Sequence, residues 1–250
     1  MLTEGFDKFT SKFDMNNRLT KLKYNHSYRV SYTAKNLAIN LGLSPSGVEL
    51  ATTYGLLHDT GRFEQLEKYN TLSDISTMDH ADFGAYLLFE KGLIKEFYEI
   101  EENYGLIKKC VKYHNKYSID ESKFDIKELF HLKLIRDADK IDIFKIWANL
   151  DEIDFKSDGK ISDSVKEEFY SHQMIHNENK KTNADWLVGT LSYIFDINFI
   201  ESLDHIIKEE FISKMFDRVC DEDKEELREI FEYAEKYVKR DAKGAKKYVR

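Results

Sequence analysis

The chain has 250 residues with 42% hydrophobic content, enough to bury one substantial core, so length points to a single domain or two small ones. A formal net charge of -8 and a pI near 5.6 make duplex nucleic acid and anionic membrane poor partners, because no broad basic face offsets their charge. The two cysteines, Cys110 and Cys220, lie far apart and argue for a reducing compartment, not a disulfide scaffold. The start, MLTEGFDKFT, lacks the apolar region of a signal peptide, and no apolar run approaches the roughly 18 residues of a membrane span, so a cytoplasmic protein is expected.

With one proline, Pro45, few glycines and little strand-like alternation, the expected fold class is all-α. Phe6, Phe9 and Phe13 recur at helical spacing over 4–16. Residues 24–41 form a second helix closed by Gly42. Ser46 and Glu49 read as a capping box opening a helix to about His58, and a polar loop is expected over 60–78. Asp79 caps a helix from His80 to Lys91, ended by Gly92, and another runs from about Glu96 to His114. Residues 127–149 make a long apolar helix, and DEIDFKSDGKISD reads as an internal loop. Helices follow near 164–176, 184–197 and 200–216, and 221–249 forms a charged amphipathic helix with a basic end.

Several polar residues share apolar helix faces. His26 aligns with Val30, Thr33, Leu37 and Leu41, and His58 extends the line of Leu50, Tyr54 and Leu57. His80 aligns with Gly84, Leu87 and Leu88, while His114 ends the stripe of Ile100, Tyr104, Ile107 and Val111. One inward histidine is ordinarily a hydrogen-bonded core residue. Four of them, with a buried Asp59, strain that explanation, since an uncompensated buried carboxylate is costly. A divalent ion supplies the compensation and accepts imidazole and carboxylate together. A further carboxylate is expected from LIRDADKIDIF. Asp137 and Asp139 sit about 200° apart on that helix, so both cannot reach one ion, and periodicity leaves the choice open.

The set His26, His58-Asp59 and Asp139 resembles the HD superfamily of metal-dependent phosphohydrolases, named for its H…HD…D signature. NHSYRV resembles the family's first-histidine helix, and LLHDTGR its LLHDIGK form, with Arg62 where lysine is usual. DHADFGAYLL and VKYHNK resemble the segments that add histidines in two-metal members, and RDADKID resembles the segment with the last aspartate, which selects Asp139. GRFEQLEKYNTLSDISTMDHA resembles a small bacterial HD subgroup. The resemblance implies a helical HD bundle with additional C-terminal helices. It would be one HD-type domain over 1–250, with a motif core at about 20–145 and an extension at about 160–250 that carries no family motif. It further implies that His26, His58, Asp59 and Asp139 hold a first ion. In two-metal members His80 and His114 hold a second with Asp59 bridging, whereas single-metal members use those histidines for catalysis or phosphate contact. The cofactor would be one or two of Mn2+, Fe2+, Co2+, Ni2+, Zn2+ or Mg2+, and the substrate a small phosphorylated molecule, foremost a nucleotide.

Phosphate needs cations beside the metal. Lys140, Arg62 and Arg29 are the candidates, with Asp59, Lys140 and Arg62 in catalysis. Each has a plainer reading: Lys140 pairing with Asp137 or Asp142, Arg62 with Glu64 or Glu67, and Arg29 with a nearby carboxylate. Asp74 and Asp79 either orient ligand histidines or cap a loop. His172 and His176 lack a third ligand and read as exposed polar residues, while Trp147 and Trp186 read as core aromatics. Competing functions are an HD-fold oxygenase with a mixed-valent di-iron site using the same six ligands, and a non-catalytic nucleotide-binding regulatory domain. The last helix packs on its own domain or, as a homodimer, on a second subunit.

Overall fold

The computed structural model describes residues 1–149, 159–219 and 224–244, the last three by backbone alone. Cys220 and the end of the basic tail, with most of the expected loop at 151–163, lie outside the described residues. Among those described, every regular element is helical, as the periodicity predicts. None of these helices is long and apolar enough to cross a membrane.

The described residues fall into two compact units, Met1–Asp139 and Lys140–Arg250. In the first, α1 (Leu2–Thr10) packs Phe6 and Phe9 with Phe13 around Phe63, at ring-centroid distances of 5.6–5.9 Å. Its helix is shorter than the phenylalanine spacing suggests. Helix α2 (Arg18–Asn40) begins earlier than expected, because Asn17 accepts hydrogen bonds from the amides of Leu19 and Thr20. Helix α3 (Pro45–Leu57) starts at Pro45, with Ser44 as its cap, not Ser46. Proline's fixed φ suits the first helical position, which moves the start upstream. Helices α2 and α3 pack closely at Gly55, where a Cβ would lie 2.9 Å from the Ser31 Cα.

The expected loop over 60–78 is largely helix α4 (Thr60–Tyr69). Only Phe63 and Leu66 mark it as amphipathic in sequence, and Gln65 is fully buried by hydrogen bonds that the pattern does not show. Helix α5 (His80–Ala85) passes into one π turn, Tyr86–Glu90, before Gly92 at φ 76° ends the segment. Helix α6 (Tyr104–Tyr113) is shorter than expected, since a 3₁₀ turn occupies Glu101–Asn103. Helix α7 (Ile126–Ala148) carries the unit boundary within it.

The second unit contains α8 (Asp163–Tyr170), α9 (Asn183–Leu191), α10 (Ile200–Lys208), α11 (Phe211–Asp217) and α12 (Lys224–Gly244). Buried Asp185 fixes its entry, accepting from the amides of Ser162, Lys181 and Thr182 and from the Ser162 hydroxyl. The single helix expected over 200–216 is two, broken at Glu210, whose φ is 56°. Leu227, Ile230, Phe231, Ala234 and Val238 of α12 are buried within this unit, packed against α10 and α11. Trp186 is not a core aromatic: it is 46% exposed, with the Lys180 ammonium 4.8 Å from its ring centroid.

Candidate metal centre

Five segments of the first unit bring six polar residues to one buried locus. His26 comes from mid α2. His58 and Asp59 form the corner between α3 and α4, where Asp59 leaves helical geometry at φ -100° and ψ 17°. His80 opens α5, with Asp79 accepting from the amides of Ala81 and Asp82. His114 follows the last turn of α6, and Asp139 comes from α7. The four histidines and Asp59 are at most 3% exposed.

The contacts divide into two groups that share Asp59. In the first, His26 Nε2 lies 3.2 Å from His58 Nε2, 3.5 Å from Asp59 Oδ2 and 3.1 Å from Asp139 Oδ1. His58 Nε2 stands 3.6 and 3.7 Å from the same two oxygens. In the second, His80 Nε2 lies 3.2 Å from His114 Nε2, and these nitrogens are 3.1 and 3.7 Å from Asp59 Oδ1. Ligand atoms about 2.0–2.2 Å from a divalent ion stand roughly 3–3.6 Å apart along the edges of its polyhedron, so both groups have the right size for an ion. Two donor triads, His26–His58–Asp59 and Asp59–His80–His114, therefore could each hold one, and a third, His58–His114–Asp139, links them.

Ring orientation points the same way. His58 Nδ1 donates to the Gly55 carbonyl at 2.8 Å and His114 Nδ1 to the Val111 carbonyl at 2.7 Å, which leaves each Nε2 lone pair facing inward. His80 directs Nδ1 at Asp74 Oδ2, 2.6 Å away, so its Nε2 also faces the centre. Burial pushes the His58 pKa down to about 3, against the pull of Asp59 and Asp139, and burial likewise lowers that of His114. Both rings are neutral at neutral pH and so suited to ligating a cation. Burial alone would raise the Asp59 and Asp139 carboxyls. The Lys23 charge and histidine hydrogen bonds outweigh it for Asp59, and the His26 hydrogen bond does so for Asp139, so both stay ionised. Converging lone pairs and two anions in an apolar interior are the donor set of a divalent cation.

A family model for the HD domain matches residues 24–143. Residues 24–143 are an HD domain. The match spans the segments that carry His26, His58, Asp59, His80, His114 and Asp139, and it ends four residues after the last of them. Neither the curated proteins nor the solved structures compared with the chain gave a match.

Around the HD domain's centre, a support shell fixes the second group. Arg62 Nη1 donates to Asp74 Oδ1 at 2.6 Å, to Gln65 Oε1 at 2.7 Å and to the Leu72 carbonyl at 2.7 Å. Gln65 in turn donates to Asp74 Oδ1 at 3.0 Å. Arg62 thus pairs with Asp74, which holds His80, and not with Glu64 or Glu67. Its Nε, 3.8 Å from Asp59 Oδ1, is buried without a hydrogen-bond partner, a donor aimed at the rim of the second group. Arg136, 1% exposed, donates through Nη1 to the carbonyls of His114 at 3.0 Å and Lys116 at 2.6 Å, which anchors the end of α6. Lys23 Nζ lies 2.6 Å from Asp59 Oδ2. Sequence reading missed Lys23, Gln65 and Arg136. Arg136 is one of nine charged residues among the 23 of α7, so the pattern gave no signal that singled it out.

The Lys140 ammonium pairs with Asp196 Oδ2 at 2.7 Å within the second unit. Arg29 is half-buried on α2, one turn after His26. Asp137 is buried in α7, and the donor groups draw on Asp139 instead. His172 and His176 share no helix. His172 is exposed and bonds the Tyr233 hydroxyl at 2.5 Å, and His176 Nδ1 pairs with Glu168 at 2.6 Å. His131 is buried against the Tyr54 hydroxyl, 3.1 Å away.

Proposed function

We propose that the HD domain is a metal-dependent phosphohydrolase that cleaves a phosphate ester of a small molecule, with nucleotides as the first substrate class to test. The observation that carries this reading is Asp59, whose Oδ2 addresses His26 and His58 while its Oδ1 addresses His80 and His114. A carboxylate between two histidine pairs suits a two-ion centre, and ions held there would supply hydroxide near pH 7 and clamp phosphoryl oxygens. His26, His58, Asp59 and Asp139 would hold one ion, and Asp59, His80 and His114 the other. Arg62 would act mainly through Asp74, keeping His80 oriented, while its unpartnered Nε faces the reaction space. The apolar walls of the bundle would exclude bulk water and so strengthen each charge interaction.

The test is metal analysis of the purified protein, then an anaerobic panel of nucleotides and phosphate esters with Mn2+, Mg2+, Co2+ and Ni2+. Phosphate release by manganese-loaded protein is the expected result. Iron content with oxygen-dependent turnover and no phosphate release would overturn it in favour of oxygenase chemistry. His58→Ala and Asp59→Ala should each lose bound metal and at least about a hundredfold of the activity, beyond what loss of an outer partner usually costs. Far-ultraviolet circular dichroism should show the helical content unchanged.

A further inference from the structure

Lys23 lies one turn before His26 on α2, on the same helix face. Its side chain is 16% exposed, and its ammonium reaches Asp59 Oδ2, the oxygen that addresses His26 and His58. We propose that Lys23 grips the phosphoryl group of the substrate at the first metal position. The proposal rests on the phosphohydrolase reading and assigns it a residue.

Charge and occupancy support the assignment. Asp59 and Asp139 contribute two negative charges, Lys23 returns one, and metal-ligating imidazoles are neutral. Arg62 and Asp74 offset each other at 2.6 Å. One divalent ion turns this cluster net positive, and two leave it strongly so. An ion held by His26, His58 and Asp59 would also take up the counter-charge on which Lys23 depends. The ammonium would then need another anion in a low-dielectric site. A phosphoryl oxygen is such an anion, and a compact ammonium with three donors suits it. Two of the three cations expected from sequence have other partners. The Arg62 Nη1 is committed to Asp74, Gln65 and Leu72, and the Lys140 ammonium to Asp196.

The experiment uses the full chain loaded with Mn2+ and inorganic phosphate as the probe, read by titration calorimetry. Lys23→Met should bind phosphate at least about tenfold more weakly than wild type, the loss expected for one charge-assisted hydrogen bond, with Mn2+ stoichiometry unchanged. Lys23→Arg should keep more of the affinity. A second measurement needs no variant: phosphate should protect Lys23 of the loaded wild type from an amine-reactive reagent, mapped by mass spectrometry. Unchanged phosphate affinity in Lys23→Met, or labelling of Lys23 that phosphate does not slow, overturns the assignment. If the wild type still releases phosphate from an ester in that case, the hydrolase reading stands without Lys23. A metal-loaded wild type that neither binds phosphate nor cleaves any ester overturns both.

Discussion

His80 shows how one side chain is held for coordination. A carboxylate behind an imidazole fixes its tautomer and ring orientation, and Asp74 occupies that place at 2.6 Å from Nδ1. Asp74 is itself held by Arg62 and Gln65, so its position is fixed before any ion arrives. Asp74→Asn keeps the shape but loses the charge, and its amide can offer a donor where the His80 N–H needs an acceptor. We expect about ten- to hundredfold weaker binding of the second ion with the first retained, measured by competition against a metallochromic indicator. Equal loss of both ions would assign Asp74 to the folding of the whole centre instead. The clustering of the buried histidines was legible because each lies on an otherwise apolar face, where an unpartnered polar group costs too much to be incidental. Lys23 was not, because a lysine near a helix start ordinarily reads as solvated, and only the fold brings Asp59 to it. Lys140 was proposed because its neighbour in sequence is a candidate ligand, and its ammonium pairs with Asp196, 56 residues away in sequence, a partner that sequence spacing does not show.

At the scale of elements, α4, which starts from Asp59, and α5, which starts at His80, meet at a glycine. A Cβ on Gly61 would lie 2.2 Å from the His80 carbonyl oxygen and 2.8 Å from the Gly84 amide, both backbone atoms that cannot swing aside. Gly61→Ala should therefore push α5 from α4. We expect a stability loss of about 1–3 kcal/mol or more, read from the urea midpoint, together with loss of the His80–His114 ion. A variant with wild-type stability and full metal content would show that the two helices can separate without cost. Helix existence was legible wherever apolar residues recur at 3.6 spacing. Boundaries were less so, because Ser44, Asn17 and Glu210 act through caps and backbone angles that several nearby residues could equally supply. Helix α4 escaped notice because its buried Gln65 is satisfied by the loop after it, and a hydrogen-bonded core glutamine leaves no hydrophobic trace.

Across the whole molecule, buried His58, His114 and His131 link stability to pH, and His131 isolates that linkage from the candidate metal ligands. It ties α7 to α3 through the Tyr54 hydroxyl, and burial, assisted by Lys127, pushes its pKa down to about 4. In the unfolded chain the imidazole takes a proton near pH 6.5, whereas the folded protein refuses it until about pH 4. The unfolded state thus binds more protons through that window. The stabilisation from keeping His131 neutral is complete above about pH 6.5 and is lost as the pH falls toward 4. One such group accounts for about 2 kcal/mol between pH 7 and pH 5. His131→Gln keeps a hydrogen-bonding partner for Tyr54 but cannot titrate. Urea unfolding of wild type and variant at both pH values should show the wild type losing about 2 kcal/mol more than the variant on acidification, with the metal-ligand histidines contributing equally to both. An identical pH dependence in the two proteins would mean that His131 is protonated in the folded state without cost, and that the junction of α3 and α7 opens to water at mildly acidic pH.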